Sequence, residues 1–421
     1  MTISLGANSR KLAFAGASLL FVALASGLSL RIFLAETASQ SEQPAAWLRA
    51  VRLVPENAAY HNQLGNYELL LNNAGLAIHE QQTAVRLNPF MASYWFDLAR
   101  AEQVTGRVDE QERALVNATL AEPTAPEVAW EAGNFFQARG EQQKALAQFR
   151  HVMESDPTMT PDALAMAWRI QPDAPKLLAE AIPPKADVQL DFLWLLVARN
   201  EVDASLKVWA SIAALRQPVN PERGASYVDY LLAQQRPDAA LAVWQQLAPV
   251  AGLTPYLPND NLIVNGRFEL APLNRGLDWH YISNQNVRLV LDATEFQEGT
   301  KSLVIEFTGG GVNEAGIYQF IPAKPETSYE FTGHFKSDEL DGAGGLRFSL
   351  QDAYTNAVLY QSDDLRSPGS WRTAGGIFQT GASTRLLALR IVRVPPGNAI
   401  HGRLWIDNLQ LIARPDQSTT P

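Results

Sequence analysis

Four prolines stand 34 residues apart along the first half of the chain, and this spacing constrains the fold more than any other feature. They are Pro55, Pro89, Pro123 and Pro157, and each closes a stretch of helical periodicity. A fixed period of ~34 residues is typical of a solenoid built from helix–turn–helix repeats. Because a solenoid presents an extended surface and usually no catalytic pocket, the period indicates a protein that holds other molecules in place.

Small residues recur at fixed offsets inside this frame. The same two positions of three successive repeats are occupied by Leu64-Gly65, Leu98-Ala99 and Ala132-Gly133. Small residues let two helices approach each other closely, and a proline ends the second helix because it cannot continue one. We therefore expect stacked pairs of antiparallel helices over residues 58–157.

This pattern resembles the tetratricopeptide repeat, whose aromatic positions are occupied here by Trp95, Phe136 and Phe149. Further prolines interrupt the frame after Pro157, and two looser repeats are expected at residues 187–215 and 222–249. In these repeats Trp209 and Trp244 are expected to lie in the core. The helical section as a whole is expected to span residues 41–250.

The resemblance implies that the first helix of each repeat lines a concave groove, where the family often binds an extended peptide. By position, the groove residues are Asn62, Asn66, Phe96, Arg100, Trp130, Asn134 and Gln137. The alternative is that these residues are only solvated polar positions on one helix face. Since Arg100 is the single cation among them, a clamp for a C-terminal carboxylate is not expected.

An uncharged run of 19 residues, 12–30, follows Arg10 and Lys11 near the N-terminus. About 20 apolar residues span a bilayer as a helix, and a preceding basic pair favours a cytoplasmic N-terminus. We therefore expect a cytoplasmic segment at residues 1–11 and a single-pass helix in the cytoplasmic membrane at residues 12–35. The bulk of the chain would then be extracytoplasmic, in the periplasm. The alternative is a cleaved signal peptide, because an Ala-Leu-Ala motif in the run resembles a peptidase site.

Composition excludes several classes of function. The net charge is −10, which argues against a nucleic-acid partner, and the absence of cysteine excludes disulfides and thiol catalysis. No metalloprotease, nucleophile-elbow or phosphate-loop motif is present in the sequence. The acidic pairs Asp338-Glu339 and Asp363-Asp364 stand in turn-like stretches, where adjacent carboxylates diverge and do not face each other as a glycosidase requires. We expect a protein that is not an enzyme.

The character of the chain changes at residues 251–260, which are expected to form a linker. Residues 261–413 alternate with strand periodicity and are cut by glycine-rich turns, which predicts an antiparallel two-sheet sandwich or jelly roll. Residues 414–421 are expected to form a flexible tail. The predicted fold class is therefore multidomain, with a transmembrane helix, an α-solenoid of helical hairpins and a C-terminal β-sandwich.

Three stretches in this region resemble the galactose-binding-like jelly rolls that serve as carbohydrate-binding modules. They begin at Asn261 (NLIVNGRFE), Gly299 (GTKSLVIEF) and Leu404 (LWIDNLQL). The resemblance implies a structural calcium with Glu269 and Asp407 as carboxylate ligands, completed by backbone oxygens near residues 300 and 301. Calcium favours such oxygen ligands. The alternative is that Glu269 caps a turn and Asp407 bonds loop amides.

The same resemblance implies a sugar chain on a concave sheet. Alternation along the strands predicts the polar residues of this cleft, and aromatic rings at its rim complete it. The expected carbohydrate-binding residues are Gln319, His334, Lys336, Arg347, Gln351 and Arg390, with Trp279 and Trp371 at the rim. The rim tryptophans have an alternative role as plugs at the ends of the sandwich. Because the cleft is polar and poor in rings, weak affinity is expected.

The sequence as a whole predicts a membrane-anchored extracytoplasmic scaffold. Its helical repeats would dock a protein partner and its jelly roll would contact a glycan, as in the assembly or export of a surface polysaccharide. The alternative is a protein–protein assembly factor of the cell envelope without sugar binding.

Overall fold

The computed structural model describes residues 8–41 and 43–414. Within these ranges a helical section precedes two five-stranded antiparallel sheets, which confirms the predicted order of a helical solenoid and a β-sandwich. The chain divides into two compact units, Met1–Pro183 and Pro184–Pro421. Most of the expected cytoplasmic segment (residues 1–7) and almost all of the expected tail (residues 415–421) lie outside the described residues.

The first unit consists of helices that pair in chain order. They are α1 (Asn8–Ser39), α2 (Pro44–Leu53), α3 (Ala58–Leu70), α4 (Ala74–Leu87), α5 (Ala92–Val104), α6 (Val108–Ala121), α7 (Pro126–Ala138), α8 (Gln142–Ser155), α9 (Thr160–Ile170) and α10 (Ala174–Glu180). The pairs α3–α4, α5–α6 and α7–α8 are the three hairpins that the 34-residue period predicts.

The periodic prolines end the second helix of each pair. Helices α2, α4, α6 and α8 each end two residues before a proline. The residue between helix and proline leaves the helical region, with ψ of 73° at Val54, 87° at Asn88, 81° at Glu122 and 106° at Asp156. The proline ring clashes with a helical conformation of the residue before it. The chain therefore leaves the helix at the same position in each 34-residue repeat.

Small residues bring the two helices of a hairpin into contact. A Cβ on Gly65 would lie 2.7 Å from Cγ of Gln81, and a Cβ on Gly133 would lie 2.9 Å from the ring of Phe149. Such distances are shorter than real Cβ contacts, so the helices can approach this closely only because these positions carry no side chain. Ala99, at the equivalent position of the middle hairpin, is buried.

Helix α1 has an exposed apolar part and a packed part. It is 32 residues long, which corresponds to about 48 Å, and its Lys11–Ser39 stretch is apolar enough to cross a membrane or to be a signal sequence. Near its C-terminal end Ala35 is buried with Ala50, and the Tyr60 hydroxyl donates to the Glu36 carboxylate at 2.8 Å. The end of α1 is therefore built into the first hairpins.

The second unit begins with four more helices. They are α11 (Ala186–Ala198), α12 (Val202–Leu215), α13 (Pro221–Ala233) and α14 (Pro237–Ala251). They form two hairpins at the positions expected for the looser repeats. Trp209 and Trp244 are both buried, as expected for core residues of the second helices.

The strands of the second unit form a sandwich of two sheets. They are β1 (Trp279–Tyr281), β2 (Val287–Asp292), β3 (Ser302–Gly311), β4 (Glu314–Pro322), β5 (Ser328–Asp341), β6 (Gly345–Asp352), β7 (Val358–Gln361), β8 (Arg372–Gln379), β9 (Leu386–Val394) and β10 (Ala399–Ala413). The first sheet has the order β1-β4-β9-β6-β7 and the second sheet the order β2-β3-β10-β5-β8. Neighbouring strands are antiparallel.

The core of the sandwich lies between the two sheets. On β5 the alternate residues Tyr329, Phe331 and Phe335 are buried, while the intervening polar residues face outward, as the alternation predicts. Phe331 packs edge-to-face on Phe348 of the first sheet, with ring centroids 5.4 Å apart. Rings and aliphatic side chains from both inner faces thus fill the space between the sheets.

Helices α13 and α14 pack directly on the sandwich. The Asp229 carboxylate accepts the Gly276 backbone N–H at 2.7 Å, and the Tyr354 hydroxyl donates to the Leu232 carbonyl at 3.1 Å. The Trp244 ring lies against Gly276, where a side chain would clash with it. These contacts explain why the last helical hairpins and the sandwich belong to one compact unit.

The segment expected as a linker, residues 251–260, forms hydrogen bonds both to the preceding helix and to the segment that follows it. It contains a short 3-10 helix, Thr254–Tyr256. The Tyr256 carbonyl accepts the Trp244 indole N–H at 3.0 Å, and the Tyr256 hydroxyl donates to the Ala271 carbonyl at 2.9 Å. The division between the two compact units lies at Pro183 and Pro184.

The packing of the hairpins predicts opposite effects for two glycine substitutions. We expect Gly133→Ala to lower the free energy of unfolding by about 1–3 kcal/mol, because its methyl group overlaps the buried Phe149 ring. A Cβ on Gly75 in α4 would have no atom within 4 Å. Gly75→Ala is therefore expected to raise the free energy of unfolding by up to about 1 kcal/mol, because alanine favours the helix. Denaturant unfolding of the full chain in detergent measures both, and stabilisation by both variants would contradict the packing argument.

Candidate functional site

The first helices of successive hairpins line the predicted groove. Asn62 and Asn66 of α3 both donate from Nδ2 to Oδ2 of Asp97 on α5, at 2.7 and 2.9 Å. Gln81 donates from Nε2 to Oδ1 of Asn66 at 2.9 Å, and a guanidinium nitrogen of Arg100 lies 3.6 Å from Oδ1 of Asp97. The side chains at this end of the groove are therefore ordered by one hydrogen-bond network.

A depression of 180 Å³ lies between α5 and α7. Three of the predicted groove residues line it, namely Phe96, Arg100 and Asn134. The lining also includes Ala99 and Leu115, which are both buried. The volume is below the ~300 Å³ at which small-molecule pockets begin, so its size suits one side chain of a docked segment.

Trp130 and Gln137, the other predicted groove residues of α7, are both half-buried. The Trp130 ring packs edge-to-face on Phe149 of α8, with centroids 5.5 Å apart. This ring therefore contributes to packing within its own hairpin.

The outer face of the first sheet carries three of the predicted carbohydrate-binding residues. Arg347 and Gln351 lie on β6 and Arg390 lies on β9, and the register places all three on the side away from the core. Each has an intramolecular partner. Arg390 donates to the Glu314 carboxylate at 2.9 Å, Arg347 donates to a backbone carbonyl at 2.9 Å, and Gln351 donates to the Ser349 hydroxyl at 2.9 Å.

The Tyr318 ring of β4 lies on the same outer face. His280 stacks beside it with centroids 5.1 Å apart, and the guanidinium carbon of Arg390 lies 4.9 Å from its centre. Nε2 of His280 lies 3.7 Å from the Asp229 carboxylate of α13, and burial raises the pKa of Asp229. Because its neighbours on β1 and β9 cover it, Tyr318 does not offer a free ring face for stacking on a sugar.

Gln319 and Trp279 are buried, so the predicted orientation of the cleft residue Gln319 is wrong. Gln319 faces the core between Ile317 and Ile321, where its amide bonds both the N–H and the carbonyl of Val264 at 3.0 and 2.8 Å. The alternation of β4 is therefore opposite to the predicted one. Trp279 is also buried and matches the alternative of a plug.

The Trp279 ring is held on both its apolar and its polar side. It stacks on Phe268 with centroids 5.1 Å apart, and its indole N–H donates to the Asn265 carbonyl at 3.1 Å. Trp371, the other predicted rim residue, is half-buried and directly precedes β8 of the second sheet.

His334 and Lys336 lie on the outer face of the second sheet, because β5 belongs to that sheet. The Lys336 ammonium pairs with Glu295 at 2.8 Å and lies 5.8 Å from the centre of the Trp405 ring. The prediction of one cleft that contains these residues together with Arg390 is wrong, since the two sheets present their outer faces on opposite sides of the sandwich.

The two predicted calcium ligands accept hydrogen bonds from loop groups. Glu269 accepts the Thr300 N–H at 2.6 Å and the Thr300 hydroxyl at 2.5 Å, and the bond to this hydroxyl lowers the pKa of Glu269. Asp407 accepts the backbone N–H groups of Gln297 and Glu298 at 2.8 and 2.9 Å and also that of the next residue. Burial raises the pKa of Asp407.

Calcium requires six to eight oxygen ligands, whereas residues 300 and 301 present N–H groups to Glu269. Among the described residues no three His, Asp or Glu side chains form a cluster that could hold a metal ion. In the structure Glu269 and Asp407 both accept hydrogen bonds from loop N–H groups, which is the arrangement that the alternative describes.

Sequence reasoning missed Asp97, although a signal for it was present. Asp97 precedes the predicted groove residue Arg100 by three positions, and residues three apart along a helix lie on the same face. For Asp229 no such signal exists, because its partners Gly276 and His280 come from a different section of the chain.

No protein-family model matches this chain, and no curated protein matches it. Solved structures similar to it include a CBM4 carbohydrate-binding module, with 12% identity over 36% of this chain and 99% of that chain and a TM-score of 0.29. The CBM22-1 xylan-binding domain of Paenibacillus barcinonensis Xyn10C has 14% identity over 35% of this chain and 91% of its own, with a TM-score of 0.26. YrrB, a TPR protein with an unusual peptide-binding site, has 13% identity over 49% of this chain and 93% of its own, with a TM-score of 0.25. Each of these structures is similar to part of this chain, at identities of 12–14%.

The capping role of Asp407 predicts a loss of stability that calcium does not influence. Asp407→Ala removes the acceptor of three backbone N–H groups and is expected to cost at least about 2 kcal/mol of unfolding free energy. Asp338→Ala, which removes an exposed pair with Arg403, is the control and is expected to cost under about 1 kcal/mol. Thermal unfolding with calcium and with a chelator measures both. A calcium-dependent stabilisation of the wild type that Asp407→Ala abolishes would show instead that Asp407 binds calcium.

Proposed function

We propose that this protein is a non-enzymatic scaffold, held in the cytoplasmic membrane by α1 with the bulk of the chain in the periplasm. Its helical repeats dock a segment of a protein partner. The observation that carries this proposal is the groove network, in which Asn62 and Asn66 bond to Asp97, and Asp97 lies 3.6 Å from Arg100, which lines the depression between α5 and α7. A preordered polar row near a small recess that is lined by both polar and apolar side chains can bind the backbone and one side chain of an extended segment at low entropic cost.

The proposal that the protein is not an enzyme is supported by the ion pairs that two of its acidic residues form with arginines. Asp338 pairs with Arg403, and Asp364 pairs with Arg366 at 3.2 Å.

Site-specific photo-crosslinking tests the docking surface. A photoreactive amino acid at Phe96, which lines the depression, is expected to capture one defined protein in cells. The matched control is the same label at Val116 of α6, which is exposed but does not line the depression. The crosslink at Phe96 is expected to fall at least about tenfold in the Arg100→Glu background, because the charge at the rim is reversed. Equal capture from both labels would overturn the assignment of the groove.

A glycan contact on the outer face of the first sheet is a second candidate. The observation that favours it is that Arg347, Gln351 and Arg390 share this face as predicted and are only half-buried. Their hydrogen-bonding groups can bond sugar hydroxyls, but the covered Tyr318 ring provides no stacking surface. In this second candidate function, the outer face of the first sheet binds a polysaccharide chain weakly, as in the assembly or export of a surface polymer.

Affinity electrophoresis in gels that contain polysaccharides tests the second candidate. The double variant Gln351→Ala/Arg390→Ala is expected to lose retardation while the crosslink at Phe96 persists. Arg288→Ala on the second sheet is the matched control, since it also removes an exposed arginine. Unretarded wild-type protein would refute the glycan contact and favour the alternative of a purely protein–protein assembly factor.

A further inference from the structure

The exposed loop between α4 and α5, residues 88–91, has an apolar surface that its equivalents lack. Phe90 is 80% exposed, and the neighbouring Leu87 and Met91 are 42% and 38% exposed. One repeat before and one repeat after, the positions of Phe90 are occupied by Glu56 and Thr124. A fixed and strongly exposed phenylalanine in a solvated loop is unusual and indicates a contact outside the unit.

The loop is rigid enough to present this side chain. The Asn88 side chain accepts the Phe90 backbone N–H at 3.3 Å, and the Pro89 carbonyl accepts the Trp95 indole N–H at 2.8 Å. With the Tyr94 N–H donating to the Met91 carbonyl at 3.2 Å, the backbone is hydrogen-bonded on both sides of Phe90, while its side chain is exposed.

The packing of α1 places this loop on the side of the first unit from which the apolar stretch emerges. Arg31, the first charge after residues 12–30, pairs with Glu56 in the loop between α2 and α3. Since α1, α3 and α5 are each the first helix of a pair, the loop at residues 88–91 is the next equivalent loop along this edge. The uncharged part of α1 continues beyond the same edge.

Basic residues accompany the apolar ones on this edge. Arg52 and Arg86 lie in the last turns of α2 and α4, and both are exposed. The acid on this edge that lies nearest α1, Glu56, is paired with Arg31. Aromatic and apolar side chains flanked by arginines are the combination that favours the boundary between lipid headgroups and acyl chains.

We infer that the loop at residues 88–91 is a second membrane contact, in which Phe90 enters the interfacial region of the bilayer beside the helix α1. This inference rests on the proposed membrane anchor. The contact orients the helical unit on the bilayer surface, because a helix and a separate loop together fix a direction that one helix alone leaves free.

Because the sequence contains no cysteine, single-cysteine labelling tests this directly. The full chain is reconstituted in vesicles of phosphatidylcholine and phosphatidylglycerol, with an environment-sensitive fluorophore on Phe90→Cys. Nitroxide-labelled lipids are expected to quench this label at least about twofold more than a label on the control Leu70→Cys, as for a group ~5–10 Å deep in the boundary. Leu70 is 82% exposed and lies at the end of α3, on the opposite edge.

A third label, on Leu20→Cys within α1, separates the two hypotheses. Strong quenching at position 20 together with equal, weak quenching at positions 90 and 70 would overturn the loop contact and leave the anchor in place. Absence of quenching at position 20 would overturn the anchor and the loop contact together. Circular dichroism of each labelled variant verifies that the helical unit is folded.

Discussion

The close contact between the two helices of each hairpin is the constraint on which the rest of the first unit depends. Gly65 and Gly133 admit the side chains of Gln81 and Phe149 at distances that no Cβ allows. Because the helices lie this close, the first helices of successive hairpins come side by side. Only then can residues of α3 and α5 share the Asp97 carboxylate and build the polar row of the groove.

The second unit depends on a different contact, between helices and a sandwich. Asp229 and Trp244 meet the backbone of Gly276, and Tyr354 reaches a carbonyl of α13. Packing a half-buried carboxylate and a buried tryptophan against a glycine in the turn before β1 joins the last repeats to the first sheet. One consequence is that Asp229 approaches His280 at the edge of the sheet face where a sugar would be expected.

The two candidate surfaces differ in how tightly their arginines are already bound to partners within the protein. On the sheet, Arg390 is shared between Glu314 and Tyr318, so a ligand must replace contacts that exist. In the depression of the groove, Arg100 is 3.6 Å from its acid and its side chain is exposed, so less must be displaced. This difference in desolvation and rearrangement is the physical reason to rank protein docking above glycan binding.

The sequence by itself determined the helical repeat, the exposed apolar run and the order of helices before strands, because prolines, small residues and hydrophobic periodicity act over short distances. It also determined the alternation on β5, where three rings mark the inner face. Only the tertiary structure decided the orientation of Gln319, since a strand of mixed residues can present either face and the burial of its amide depends on Val264, far away in the chain. The same holds for the separation of His334 from Arg390 and for the contact of Asp229 with Gly276. These facts follow from strand order and from packing between distant segments, which no local pattern encodes.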